Sequence, residues 1–338
     1  MNQISDRCSI IIPTYNRATL LDKTLNSIQK LKDITLVGQV IICDSNSTDK
    51  TVEVIEHYAE KIRSIEFLHI NTDNNISKKR NHGIHKANNE FLIFFDDDCE
   101  LYPDCIELHL KFLKEHPNNI VSGGVFFPED QVSESNYIRY RDSRHRYADG
   151  LQEEENQLDY KQIVTMNMGA RKSELFKTDL FFDENFLSYG MEDNDFGYRA
   201  QKMGFSLGLS KGSIIHHDHH TFITFKKKIY STARDGTSTF LKKFPEAVYD
   251  FYYSRYLEKN YPHSTFSGRL FSRICRLLLL NSLASLMTKF VVMTDHLEFF
   301  YNKTIFRYIL ATEYLRGVKH RGRRFISQEE IKGSFFDQ

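Results

Sequence analysis

The chain has 338 residues, 41% of them hydrophobic and 27% charged, the balance of an ordinary globular protein and not of a disordered or fibrous one. That length accommodates one large domain, or a domain with a smaller appendage. Lys plus Arg and Asp plus Glu both number 45, so bulk charge gives no support to nucleic acid as a partner, although from Thr265 onward twelve basic residues stand against six acidic ones.

In chain order, "CSIIIP" reads as a buried strand, "ATLLDKTLNSIQKL" as an amphipathic helix, "QVIICD" as a second strand and "TDKTVEVIEHYAEKI" as a second helix. "IEFLHI", the helix-like "SKKRNHGIHKANN" and the strand "EFLIFFD" continue the alternation. Strand and helix alternating at this spacing predict right-handed βαβ units and a parallel sheet covered on both faces. Ligands of such sheets bind outside the carboxyl ends of the strands. Here three strands end in polar clusters, "PTYNR" at 13–17, "DSNSTD" at 44–49 and "DDD" at 96–98, which should meet in one crevice. Neither GxGxxG nor GxxxxGK[ST] follows the first strand, which excludes the Rossmann and P-loop solutions. Three consecutive aspartates repel one another unless a cation or hydrogen-bond donors compensate them, so positive charge is expected beside Asp96, Asp97 and Asp98.

The five cysteines, Cys8, Cys43, Cys99, Cys105 and Cys275, form no CxxC pair, and free thiols in a reducing compartment are the simplest reading. The first residues carry no long apolar segment of the secretory type, and a cytoplasmic location is expected.

Five stretches, "SIIIPTYNR", "VIICDSNSTDKT", "KKRNHGI", "FLIFFDDDCEL" and "GMEDNDFGYRAQKMGF", resemble in order and spacing the family 2 glycosyltransferases, inverting nucleotide-sugar enzymes of the A-type fold. The last is most similar to the bacterial chondroitin-polymerase and galactosaminyltransferase-like branch. The resemblance runs over residues 7–220 and implies the A-type α/β fold, with a mostly parallel central sheet and helices on both faces. The tail from Thr221 lies outside it and is helical in pattern, so the chain is expected to divide into a catalytic domain at 1–220 and a C-terminal helical extension at 221–338.

Carried over position by position, the resemblance implies that Pro13, Thr14 and Tyr15 floor the nucleotide base, that Asp44 accepts a hydrogen bond from uracil, and that Arg80 sits near the base and diphosphate. Arg17 and Asp97 belong to the same donor-binding set. A buried carboxylate facing the uracil N–H would discriminate against cytosine, which lacks that donor. The alternative is that Asp44 caps the helix following it, a task Ser47 or Thr48 could also perform. In the family's DxD motif the first acid, Asp96 here, reaches the ribose, and the last, Asp98, binds a divalent cation on the diphosphate, Mg²⁺ or Mn²⁺ by the hardness of its ligands. Asn167, Met168 and Gly169 resemble the segment beside the donor sugar.

In "SIIHHDHH" an apolar strand ends in His216 and His217, which resemble the family's late histidine and imply a second metal ligand, His216 before His217, with the register left open; zinc is the less suitable metal without paired cysteines or HExxH. In the family's ED motif the second acid is the base that takes the acceptor proton, which is Asp193 here, with Glu192 orienting the acceptor. Without the resemblance, both acids could simply neutralise a helix dipole. The stretch 128–160 reads as an insertion over the pocket, and its Arg139, Arg141, Arg144 and Arg146 as a solvated helix face or a contact for an anionic acceptor.

In the tail, Arg269, Arg273 and Arg276 form one basic stripe before the uncharged run Leu277–Thr288, which is shorter than the roughly 20 residues needed to span a bilayer. It reads as a helical subdomain, a homodimer contact, or an interfacial helix on the anionic inner face of the cell membrane. Processive synthases of the family carry a QxxRW motif, and this chain has no tryptophan. The expected activity is therefore metal-dependent transfer from a UDP-sugar to a saccharide or lipid-linked acceptor in bacterial surface-polysaccharide assembly. The alternatives are a polyprenyl-phosphate sugar synthase and a noncatalytic sugar-nucleotide binder.

Overall fold

Strand β1 (Cys8–Thr14) is buried at every position, the mark of a central strand covered on both faces. It is followed by helix α1 (Ala18–Gln29), strand β2 (Val37–Asp44), helix α2 (Thr51–Lys61), strand β3 (Glu66–Asn71), helix α3 (Ile76–Lys86) and strand β4 (Phe91–Phe95). The computed structural model describes residues 6–145, 158–218, 220–251 and 281–320. β3, β2, β1 and β4 pair in parallel in that order, as the alternation of strands and helices predicts. Thr14 lies opposite Asp44, and Asp44 opposite Asn71, so these strands end level with one another and deliver their polar turns to one rim. α1 buries Leu21, Leu25 and Ile28, one apolar stripe at helical spacing. α3 crosses β1 so closely that a Cβ on Gly83 would lie 2.4 Å from Ile11 Cγ2, which only glycine permits.

The second half of the sheet is mixed. β5 (Cys99–Leu101), helix α4 (Cys105–Glu115), β6 (Asn119–Phe126), helices α5 (Glu129–Glu134) and α6 (Asn136–His145), β7 (Asn167–Arg171), helix α7 (Lys172–Lys177), helix α8 (Glu192–Lys202) and β8 (Ser206–His216) complete it. The eight strands run β3-β2-β1-β4-β7-β6-β8-β5, with β7 antiparallel to both β4 and β6. The sequence expectation for Asn167, Met168 and Gly169 fails here. These residues begin β7 inside the sheet, where Asn167 donates to the carbonyls of Gly124 and Gly212, Met168 is fully buried and Gly169 packs on Val121, Ile93 and Leu113. None of the three lines the cleft described below.

Beyond the sheet come helix α9 (Phe222–Ser231), a π-helical turn Thr232–Gly236, helix α10 (Thr237–Lys243) and a pair of helices, α11 (Asn281–Met293) and α12 (Lys303–Lys319). Phe127, Tyr137, Ile138 and Tyr140 pack with Phe222, Phe306 and Ile309 into one apolar cluster, in which the Tyr140 and Phe306 rings stack at 5.0 Å. The stretch from 128 is thus a clamp between the sheet and the C-terminal helices. Arg141 departs from the solvated face expected of it: buried, it pairs with Asp218 and lies 4.2 Å over the Phe225 ring. Arg139 bonds Asn136 and Ser133, and Arg144 is exposed. Arg146 and the stripe of Arg269, Arg273 and Arg276 lie outside the described residues.

Among the described residues no helix is long and apolar enough to cross a membrane. The α11–α12 turn nevertheless presents an apolar tip, with Met293, Leu297 and Phe299 exposed, the last at 92%.

Candidate active site

The polar rim opens into a cleft of about 610 Å³, whose lining includes Pro13, Arg17, Arg80, Asp96, Asp97, Asp98, Glu192, Asp193 and His216. Five of the predicted segments therefore meet in one place. Two arginines organise their acids. Arg17 bridges Asp97 and Asp98, each at 2.7 Å. Arg80 is buried across the cleft and pairs with Asp96 at 3.2 Å, Asp193 at 3.3 Å and Glu192 at 3.4 Å, its guanidinium over the Phe182 ring. Sequence reading put Arg80 beside the base and diphosphate; the structure makes it the tie between the aspartate triplet and the Glu192–Asp193 pair.

The three aspartates are not equivalent. Asp97 turns inward, accepts from Thr14 Oγ1 at 2.7 Å, and is pushed up to about 7 by burial, against the pull of Arg17. Asp98 is also buried, but His216 and then Arg17 overcome that penalty and hold its carboxyl well below the usual carboxylate range. Asp96 is raised by burial, which outweighs the opposing Arg80 charge. Beneath them, Lys79 is fully buried and donates to the Thr14 carbonyl at 2.8 Å, with burial pushing its ammonium down to about 8. "KKRNHG" placed Arg80 but gave no sign that the preceding lysine supports the floor of the site.

Alternation at the end of β8 separates the two histidines. His216 Nε2 lies 3.4 Å from Asp98 Oδ1, whereas His217 bonds Glu100 at 3.0 Å and does not line the cleft. Among the described residues no group of three or more Asp, Glu, His or Cys could hold a metal ion. Asp98 and His216 supply one hard oxygen and one imidazole nitrogen, a donor pair that fits Mn²⁺ or Mg²⁺ when phosphate oxygens and water complete the coordination.

Asp44 is fully buried at the end of β2 and accepts from the Ser47 backbone N–H and hydroxyl, with His69 Nε2 at 3.3 Å. It does not cap α2: Asp49 accepts from Thr51 N instead. Thr14 is buried and Tyr15 half-buried, and of the predicted base-binding residues Pro13 lines the cleft while Thr14, Tyr15 and Asp44 do not.

Gly190 and Met191 both adopt left-handed φ, +88° and +79°, before α8. The kink turns Glu192 and Asp193 into the cleft, and a non-glycine residue in that region signals a backbone held by its surroundings. A Cβ on Gly190 would meet Thr232 Oγ1 at 2.7 Å, so the π-helical turn is the wall against which the kink is set. Asp193 accepts from Thr165 Oγ1 at 2.7 Å and Thr165 N at 3.2 Å. Burial, and then the Asp193 charge, push Glu192 up to about 7, against the opposing Arg80.

Sequence reading missed most of one wall of the cleft. His220, the end of "SIIHHDHH", lines it together with Phe225, Lys228, Ile229 and Thr232, and no motif marks the last four.

Comparison with known proteins accords with this geometry. Residues 9–176 match the model of the family described as Glycosyl transferase family 2. The GalNAc(5)-diNAcBac-PP-undecaprenol beta-1,3-glucosyltransferase of Campylobacter jejuni is 30% identical over 130 residues, 38% of this chain and 41% of that protein. Chondroitin synthase of Escherichia coli is 26% identical over 253 residues, 63% of this chain and 35% of its own length. The chain thus spans about half or less of these relatives. The structure of Staphylococcus aureus TarS residues 1–349 in complex with UDP superposes with a TM-score of 0.52 at 16% identity, over 95% of this chain and 93% of that one, a likeness of A-type fold.

The raised Glu192 carboxyl has a consequence for stability. Its folded value lies above the unfolded 4.5, so its contribution is fully present below 4.5 and is lost as pH rises through about 7. Glu192→Gln removes that loss, and thermal melts should place the variant above wild type at about pH 8 and level with it near about pH 4. A variant less stable than wild type at the higher pH would contradict this.

Proposed function

The chain belongs to glycosyl transferase family 2 through its residues 9–176, and from that premise we propose that it moves a sugar from a UDP-sugar to a hydroxyl of a saccharide or lipid-linked acceptor, with inversion. The observation that carries the reading is the Arg80 tie, which joins donor-side Asp96 to acceptor-side Glu192 and Asp193 in one cleft. Asp44 at the strand end reads the uracil ring, over a floor of Pro13, Thr14 and Tyr15. Asp98 and His216 hold a divalent cation, which when bound offsets charge on the diphosphate.

Asp193 is the base. The acceptor oxygen attacks the anomeric carbon from the face opposite the diphosphate, its O–H bond breaks, and the proton passes to the Asp193 carboxylate. The bond from the anomeric carbon to the diphosphate oxygen breaks, and its electron pair leaves with UDP. Thr165 and Arg80 fix the carboxylate so that little reorganisation is required. Glu192 meets the acceptor.

This activity is tested by UDP release from a panel of UDP-sugars with Mn²⁺ or Mg²⁺ and with EDTA. Wild type should release UDP from at least one sugar in the presence of its acceptor, and EDTA or Asp98→Ala should abolish the release. Asp193→Asn should cut kcat by about 10²–10⁴-fold. Full turnover by Asp193→Asn would sink the protein base and favour a lipid phosphate as acceptor, since a phosphate needs no base.

A membrane surface is where a lipid-linked acceptor would be met, and the apolar α11–α12 tip, flanked by exposed Lys289, Lys303 and Arg307 against Glu298, supports contact with anionic lipid. Vesicles containing phosphatidylglycerol should sediment the protein, and Phe299→Asp should release it. Equal sedimentation of the two proteins would remove the tip from the account.

A further inference from the structure

Three consecutive lysines on α9 have three different fates. Lys226 pairs with Glu313 at 3.1 Å, Lys227 is exposed, and Lys228 turns into the cleft. There its ammonium lies 4.6 Å over the Tyr189 ring and donates to His220 Nε2. Arg17 holds two carboxylates and Arg141 one, but among the described residues none lies within ion-pair distance of Lys228. Because Lys228 occupies Nε2, a neutral His220 carries its proton on Nδ1, and that nitrogen is buried with no hydrogen-bond partner among the described residues. Two donors, one of them charged, thus share a wall of the cleft with no carboxylate in direct contact, Asp218 acting on both only at longer range, and a buried donor left unpaired is costly.

We propose that Lys228 and His220 form a phosphoryl-binding station, supplied by the segment beyond the matched domain. Its ligand is a phosphoryl group, either of the donor diphosphate or of a phosphorylated acceptor, and the choice between these sources rests on the glycosyl-transfer reading above. Lys228 donates to a non-bridging oxygen as a point charge, and His220 Nδ1–H adds a directed hydrogen bond. Burial pushes the Lys228 ammonium down to about 8, so bringing it a negative charge relieves a cost already present.

Calorimetric titration of UDP, uridine and inorganic phosphate into wild type, Lys228→Met and Lys228→Arg tests the station, with uridine binding as the check that each variant is folded. If the donor is the source, Lys228→Met weakens UDP by about tenfold or more and leaves uridine unchanged, with Lys228→Arg in between. If the acceptor is the source, UDP binding is unchanged, and inorganic phosphate binding to the UDP-loaded protein is lost in Lys228→Met. The station is overturned if Lys228→Met binds both UDP and inorganic phosphate as tightly as wild type. A wild type that binds no UDP would instead sink the proposed function; inorganic pyrophosphate, titrated alone into the same three proteins, then decides the station.

Discussion

Carboxylates that converge in a buried cleft repel one another, and every other feature of this site depends on how that repulsion is held. Two arginines do it. Arg17 spans the second and third aspartates of the triplet, and Arg80 spans the first aspartate and both acids at the head of α8. Each guanidinium is a planar fork that can serve several acceptors at once, which a lysine ammonium in the same place could not do with comparable geometry. Removing either would leave buried charges unpaired, a far larger loss than that of a surface ion pair.

The fold supplies the positions that this balance needs. Parallel strands ending level bring Thr14, Asp44 and the triplet to one rim, while the antiparallel β7 between β4 and β6 fills the sheet centre. The kinked Gly190–Met191 backbone then aims α8 across that rim, braced by the π-helical turn. Helices beyond residue 220 thereby take part in the cleft, and the division of the chain at 220 follows the sequence resemblance more closely than the architecture of the site. Arg141, stacked on Phe225 and paired with Asp218, is the joint between the two halves.

Much of this was legible in the sequence where local pattern governs. The apolar runs around Ile11, Ile41 and Ile93, the polar strand ends and the acidic head of α8 all announce themselves by periodicity and position. The misreadings share a cause. The resemblance places Asn167, Met168 and Gly169 beside the donor sugar, but pairing with β4 and β6 draws them into the sheet, and tertiary pairing leaves no local trace. Arg141 looks like a surface cation until the aromatic ring that covers it is known, and nothing local marks Lys228; the rings over both come from distant parts of the chain. The choice between His216 and His217 needed the register of β8, which a one-residue slip would reverse.

The central claim is that this charge-balanced cleft is a site for a uridine nucleotide and a divalent cation together. Calorimetric titration of UDP and CDP, each with Mn²⁺ and with EDTA, tests it most directly. The account predicts that UDP binds in preference to CDP and that Mn²⁺ tightens UDP binding. If neither nucleotide binds with Mn²⁺ present, the roles of Asp44, Asp96 and Asp98 fall together.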